Sequence, residues 1–350
     1  MTSASITVAG RAIGPTAPCF IIAEAGVNHD GWLDRAHRLV SAAADAGADA
    51  VKFQMFSANR LATAEAPQAA YQEARVGRES QRDMLRRLEL GAEAHRELAA
   101  ASRARGLLFL STPFDEQSAD CLHDIGVPAF KIPSGEITNF PLLTHIARFG
   151  KPVLLSTGMS TLGDVDRAVT TLRENGCVEI VLLQCTSCYP ADPRDANLHA
   201  METLARVFDV PVGFSDHTLG HEAALAAVAL GAAVVEKHLT LDRAATGPDH
   251  AASLEPPAFA SLVRSIRTVE QALGDPLKRP VAGEREVAAA ARRSLVASRD
   301  IAAGSRITSG DLVLRRPGTG LSWDASVTIL GRVARIDIAV GSLIAPEMFR

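Results

Sequence analysis

Eight short apolar runs, each ending in polar residues, dominate the pattern along the chain. They are Ile21-Ile22-Ala23-Glu24, Ala50-Val51-Lys52-Phe53-Gln54, 107–112, Ala129-Phe130-Lys131-Ile132, Val153-Leu154-Leu155-Ser156, 180–184, Val212-Gly213-Phe214-Ser215 and Val234-Val235-Glu236-Lys237-His238. Near-continuous apolar runs of this length suit strands buried on both faces. Between them the period changes. Leu33, Ala36, Leu39, Val40 and Ala43 recur at helical spacing before Gly47. Val165, Ala168, Val169 and Leu172 do so before Gly176, and Phe259, Leu262, Val263, Ile266, Val269 and Leu273 before Gly274. Each glycine marks a helix C-terminus. Strand then helix, about eight times over, predicts a (β/α)8 barrel. The competing architecture is an open doubly wound sheet, which usually carries a Gly-rich phosphate turn after its first strand. Here that turn reads Glu24-Ala25-Gly26-Val27-Asn28-His29, with neither G-x-G-x-x-G nor a Walker A sequence.

The second gap is the longest and holds an extra polar stretch, about 59–89, before a helix expected over 92–105. Long insertions cluster on functional faces, so this one reads as a lid or rim; an inert excursion is the alternative. After Gly274 the texture changes. Asp275-Pro276-Leu277-Lys278-Arg279-Pro280 has linker composition. Three short β-like runs follow: Ser294-Leu295-Val296-Ala297, Leu312-Val313-Leu314 and Val333-Ala334-Arg335-Ile336. The expected organisation is a barrel over 1–275, a linker over 276–290 and a small all-β domain over 291–350. A domain that small buries little core alone and gains by packing on something else.

Composition narrows the functional classes. The 350 residues carry a formal net charge of -4, with 47% hydrophobic and 22% charged residues. That is the balance of a globular enzyme rather than a disordered chain. The slight acidity argues against nucleic acid or an anionic membrane as partner. The longest run of Ala, Val, Leu and Gly, Ala223 to Val235, has 13 residues, short of the roughly 20 that span a bilayer. No basic region followed by an apolar stretch opens the chain, and five scattered cysteines read as reduced thiols. Both features lead us to expect a cytoplasmic protein.

The candidate chemistry lies where the apolar runs become polar, because the active site of such a barrel forms at the C-terminal ends of its strands. Side chains two apart on a strand share a face, which pairs Lys52 with Gln54, Ser215 with His217, and Glu236 with His238. Strand ends also supply Glu24, Thr112, Lys131, Ser134, Glu136, Ser156 and Ser187. Lysines and hydroxyls suit a phosphate, carboxylates suit proton transfer, and His217 and His238 on neighbouring strands suit a divalent metal. Each piece has a plain structural alternative: a hydrogen-bonded strand-end histidine, a Lys–Glu pair at the rim, turn chemistry for Ser-Thr-Gly. Convergence of nearly every strand on one mouth favours the functional reading. Cys185-Thr186-Ser187-Cys188 is a C-x-x-C, but it follows a buried strand rather than opening a helix. No second cysteine pair completes a zinc site.

These stretches resemble the bacterial sialic acid synthases, the phosphoenolpyruvate-condensing nonulosonate synthases that make N-acetylneuraminate, legionaminate and related acids. The resemblance runs nearly end to end. It is carried by 21–29, 50–54, 110–114, 130–136, 155–159, 184–190, 213–218, 236–240 and Gly247-Pro248-Asp249-His250. The tail Arg315-Arg316-Pro317-Gly318-Thr319-Gly320 is similar to the antifreeze-like SAF domain of the same family. Ser187, Asp30 and Met55 depart from residues common among members.

The resemblance implies a divalent metal, manganese or magnesium, on His217 and His238. It implies that Lys131, Ser134, Ser156, Ser187 and Ser215 hold the phosphate and carboxylate of phosphoenolpyruvate. Glu24, Lys52, Gln54, Thr112, Tyr189 and Asp249 would surround the sugar and reacting atoms, with Glu136 as the base for water. It further implies a homodimer in which each C-terminal domain covers the partner's barrel mouth and Arg316 touches the sugar's N-acyl group. The implied reaction joins phosphoenolpyruvate to N-acetylmannosamine, giving N-acetylneuraminate and phosphate by C–O cleavage. A 2,4-diacetamido-2,4,6-trideoxymannose substrate, leading to a diacetyllegionaminate, is the alternative. Competing classes are a condensing barrel for sugar phosphates, a metal-dependent hydrolase and a non-catalytic carbohydrate-binding barrel. The hydrolases commonly open with His-x-His on the first strand, where this chain has Glu24.

Overall fold

The computed structural model describes residues 4–350 and divides into two compact units, 1–274 and 275–350. The first opens with an antiparallel hairpin, β1 (Ile6–Val8) and β2 (Arg11–Ile13). Eight parallel strands follow: β3 (Phe20–Gly26), β4 (Ala50–Met55), β5 (Leu108–Pro113), β6 (Phe130–Ile132), β7 (Val153–Ser156), β8 (Ile180–Cys185), β9 (Val212–Asp216) and β10 (Val234–His238). They correspond one for one to the eight apolar runs. The hydrogen-bonded order is β5-β4-β3-β10-β9-β8-β7-β6. β5 and β6, at the two ends of that order, pack side by side and close the cylinder.

The strands are apolar throughout because both faces are covered. Ile21, Val51, Phe109, Val153 and Val235 face outward into one core with the helices, including Leu39, Leu98, Leu172 and Phe259. Phe20, Ile22, Leu110, Leu154, Val181 and Val234 form a second core with Ile6, Val8 and Ile13, so the N-terminal hairpin plugs the bottom of the barrel. Filling that end with side chains leaves only the opposite end, where the strands turn polar, to hold a ligand. The three helices read from the periodicity run over Leu33–Asp45, Leu162–Glu174 and Pro256–Leu273.

The stretch 59–89 is structured. It lies among three short helices, Ala58–Leu61, Ala70–Val76 and Gln81–Leu88. Met84 and Leu88 pack with Val27 and Phe56 in a core of their own above the barrel. Gly31, at φ +79°, lies so close to the Arg87 carbonyl that a Cβ would collide with it. This contact seats the loop after β3 against the last of the three helices.

The second unit contains β11 (Ser294–Ala297) paired antiparallel with β12 (Leu312–Arg315). Leu295, Ile301, Ile307, Ile329, Ile338, Ile344 and Phe349 gather into its core. The third β-like run forms isolated bridges only, Arg306 with Val333 and Ala334 with Phe349. The segment read as a linker carries a helix over Glu284–Ala291, in keeping with its run of alanines.

Candidate active site

A cavity of about 440 Å³ opens at the C-terminal ends of the barrel strands. Every site residue read from the sequence lines it except Arg316. Arg316 belongs to the second unit, where it is exposed and its Nε donates to the Ala291 carbonyl at 3.0 Å.

Three arcs of the barrel divide the chemistry. Over β6 to β8 lie Lys131, Ser134, Ser156 and Ser187. The Lys131 Nζ donates to Ser156 Oγ at 2.7 Å. The Gly158 amide donates to Ser134 Oγ at 2.9 Å. A Cβ at position 158 would stand 2.8 Å from Ser134 Oγ and closer still to Ser187 Oγ. Glycine therefore keeps open a small hydroxyl-lined cradle beside a buried ammonium, a setting suited to phosphate or carboxylate oxygens. Glu136 stands at the edge of this arc and accepts from Asn139 Nδ2 at 2.7 Å. Burial pushes its carboxyl above the usual range.

Over β3 to β5 lie Glu24, Lys52, Gln54 and Thr112. The strand register shifts between Glu24 and Gly26, and Gly26 adopts φ +52°, which turns the chain at the rim. Lys52 Nζ stands 2.7 Å from Glu24 Oε2 and donates to Thr112 Oγ1 at 3.0 Å. Gln54 Nε2 reaches Glu24 Oε1 at 3.3 Å. Burial drives the Glu24 carboxyl up, Lys52 opposes it, and the balance falls at about 7.

Between the arcs, Glu236 on β10 lies 3.7 Å from Lys52 Nζ and 3.6 Å from Lys131 Nζ. It also accepts from Ser215 Oγ at 3.0 Å. Burial disfavours its charge, but the two ammonium groups outweigh burial and hold its carboxyl below the usual range. Two buried lysines thus face two buried carboxylates. Sequence reasoning placed Glu236 on the His238 face but left it out of the site; that two-residue spacing was the available signal.

His217 and His238 complete the floor, their ring centroids 5.3 Å apart. The Nδ1 of His217 meets the Thr186 carbonyl at 2.8 Å, so it carries the proton and leaves Nε2 as the free lone pair. Behind it, Lys237 Nζ bonds Asp216 Oδ2 at 2.7 Å and Asp216 caps the Thr218 amide at 2.8 Å, which fixes the loop bearing His217. The Nδ1 of His238 is buried without a hydrogen-bond partner, 3.9 Å from Asp249 Oδ2. Burial and the neighbouring His217 hold this imidazole well below its ordinary pKa, hence neutral. Among the described residues no set of three or more His, Cys, Asp and Glu side chains is arranged to hold a metal. Burial lowers the His217 pKa, but Cys185 and the Thr186 carbonyl outweigh it and hold that imidazole above its ordinary value. Two buried imidazoles, one with an unpartnered nitrogen, fit a divalent ion as a two-point anchor with its other positions left to water or substrate oxygen.

The insertion roofs this floor, as the rim reading expected. Tyr71 stacks on Tyr189 with centroids 5.1 Å apart, and Tyr189 lies 4.2 Å from the His217 ring. Leu61, Met84, Leu85 and Leu88 also line the cavity. None of these was read from the sequence, where 59–89 shows only polarity. Cys185 is buried 3.8 Å from His217 Nδ1, while Cys188 is exposed, so the C-x-x-C is not a paired site.

The chain is similar to known proteins in sequence and fold. Residues 39–278 match the NeuB family and residues 292–350 the SAF domain. The chain is 46% identical over 317 residues to the N,N'-diacetyllegionaminic acid synthase of Campylobacter jejuni, covering 90% of this chain and 95% of that one. It is 39% identical to the N-acetylneuraminate-9-phosphate synthase of Homo sapiens, over 87% of this chain and 85% of that one. The crystal structure of the N-acetylneuraminic acid synthetase of Leptospira borgpetersenii superposes with a TM-score of 0.72 at 37% identity. That match covers 82% of this chain and 95% of that one. With the family's match extending across most of the barrel, the chain belongs to the NeuB family.

Proposed function

We propose that the protein is a transferase that condenses phosphoenolpyruvate with an open-chain N-acylated mannosamine, releasing phosphate and a nine-carbon 2-keto acid. One observation carries this reading. A blind cavity end juxtaposes a lysine- and serine-lined cradle, a buried Glu–Lys cluster and two buried imidazoles. N-acetylmannosamine, giving N-acetylneuraminate, is one candidate sugar. The 46% identity to a diacetyllegionaminic acid synthase favours 2,4-diacetamido-2,4,6-trideoxymannose as the second.

In this mechanism Lys131, Ser134, Ser156 and Ser187 hold the phosphate and carboxylate of the enol ester, helped by Ser215. His217 and His238 would hold a divalent ion, manganese or magnesium, which when bound would act as a Lewis acid toward the aldehyde. Gln54, Thr112, Tyr189 and Asp249 orient the sugar. The enol C3 attacks the aldehyde carbon, and the oxygen that was the aldehyde takes a proton from Glu24, beside Lys52. Water adds at C2, losing its proton to Glu136. The C2–O bond to phosphate then breaks, and the remaining C2 hydroxyl loses its proton as the ketone forms. The buried lysines offset the negative charge in a site shielded from water.

The second unit is proposed to complete the site in a homodimer, with Arg316 reaching the partner's sugar. Apolar side chains exposed on the loops after the barrel strands, Met159 and Leu219, support a covered mouth. Mixing the protein with manganese, phosphoenolpyruvate and either sugar tests the reading. Sugar-dependent phosphate release is expected, and its absence with both sugars would refute the reading.

A further inference from the structure

The three arcs fix how a sugar must lie. The enol-ester cradle occupies β6 to β8 and the imidazoles occupy β9 and β10, so the sugar takes the remaining arc, over β3 to β5. Its aldehyde must face the reacting centre, and its far end then points up beneath the insertion that follows β4. That insertion presents Gln81, Leu85 and Leu88, spaced four and three residues apart, on one helix face lining the cavity.

The wall is preorganised. Ser80 caps the helix by accepting from the Asp83 amide at 3.1 Å. Glu89 Oε1 accepts from the Ala58 amide at 2.5 Å, tying the two ends of the insertion together. Met84 and Leu88 are anchored in their own core with Val27 and Phe56. Leu85 is only partly buried, so its side chain is available to a ligand. Phe114 and Leu61 extend the apolar surface. Among the described residues, the cations lining the cavity are Lys52 and Lys131, both committed to carboxylates at the blind end. The partner's Arg316 is proposed to meet the N-acyl group next to the aldehyde, so a charged group under the wall, at the remote end, would be desolvated without a partner.

We propose that the helix Gln81–Leu88 is the specificity element for the sugar. Its Leu85 face reads the end remote from the aldehyde by apolar contact, preferring a methyl group to a hydroxymethyl group and rejecting a phosphate. This rests on the condensation proposed above.

The test uses the full chain with manganese and saturating phosphoenolpyruvate, and measures kcat/KM by phosphate release for three aldoses. These are 2-acetamido-2,6-dideoxymannose, N-acetylmannosamine and N-acetylmannosamine 6-phosphate, which differ only at C6. The expected order follows that sequence, with about 100-fold between the first and second, the scale on which an apolar pocket rejects an added hydroxyl. Leu85→Asn narrows that ratio at least tenfold with the KM for phosphoenolpyruvate unchanged, and Leu85→Met keeps it. Equal use of the phosphorylated sugar, or an equal loss on all three in Leu85→Asn, would overturn the assignment. Failure of the wild-type protein to release phosphate with any of the three would instead remove the condensation itself, and the wall's role with it.

Discussion

Glu236 is the counter-ion on which the floor of the cavity depends, and Glu236→Gln isolates that role. The substitution keeps the shape and leaves an acceptor for Ser215 Oγ, so only the charge between Lys52 and Lys131 is lost. At 3.7 and 3.6 Å, each attraction is worth about 4–5 kcal/mol gross at an effective dielectric of 20. Much of that offsets desolvation, and removing one partner from a buried ion pair costs about 3–5 kcal/mol net. For a unit of this size the melting temperature should fall by at least about 6 °C. Urea unfolding followed by circular dichroism gives the free energy directly. The deficit should shrink as pH rises and the uncompensated ammonium loses its proton. Phosphoenolpyruvate, which brings negative charge to the same lysines, should restore more stability to the variant than to the wild type by binding linkage. A variant within about 1 kcal/mol of wild type at pH 7 would refute the claim that Glu236 neutralises the lysines.

Other consequences follow from the same geometry. Gly158→Ala places a methyl between Ser134 and Ser187 and should raise the KM for phosphoenolpyruvate at least tenfold while that for the sugar changes little. Steady-state kinetics with each substrate varied in turn separates the two. Arg316→Ala should do the reverse, weakening use of the N-acyl sugar more than of phosphoenolpyruvate; equal effects would count against a role at the sugar. His29 and His95 are held neutral by burial, at about 3 and about 4. The unfolded chain binds protons at these sites below about pH 6.5 while the folded one does not. Their stabilising contribution is thus complete above that pH and is lost as pH falls toward 3–4. The slope approaches about 2.7 kcal/mol per pH unit from the two together, and unfolding free energies between pH 7.5 and 4.5 measure it.

Much of this architecture is legible in the sequence because barrel strands buried on both faces are apolar without interruption. The eight runs became eight strands, and the polar residues that end them meet in one cavity. Position on a strand fixed both depth and direction, so Lys52, Gln54, His217 and His238 were readable from period two alone. The hairpin that plugs the barrel was not, since strands of three residues carry no period. Nor was the roof. Tyr71 and Leu85 sit on two short helices in a stretch whose overall polarity hides the apolar residues that line the cavity, and Tyr71 is placed by a long-range stacking contact with Tyr189. Glu236 was readable in place but not in role, because the two lysines that flank it come from β4 and β6, 184 and 105 residues away along the chain. The helix at 284–291 arose where breaker residues gave way to alanines.

The most direct test of the proposed condensation follows the bridging oxygen. Phosphoenolpyruvate labelled with oxygen-18 between C2 and phosphorus is incubated with the protein, manganese and an N-acylated mannosamine, and both products are weighed by mass spectrometry. The account predicts labelled inorganic phosphate and an unlabelled nine-carbon keto acid. Label retained in the keto acid, or phosphate released at the same rate without sugar, would contradict it.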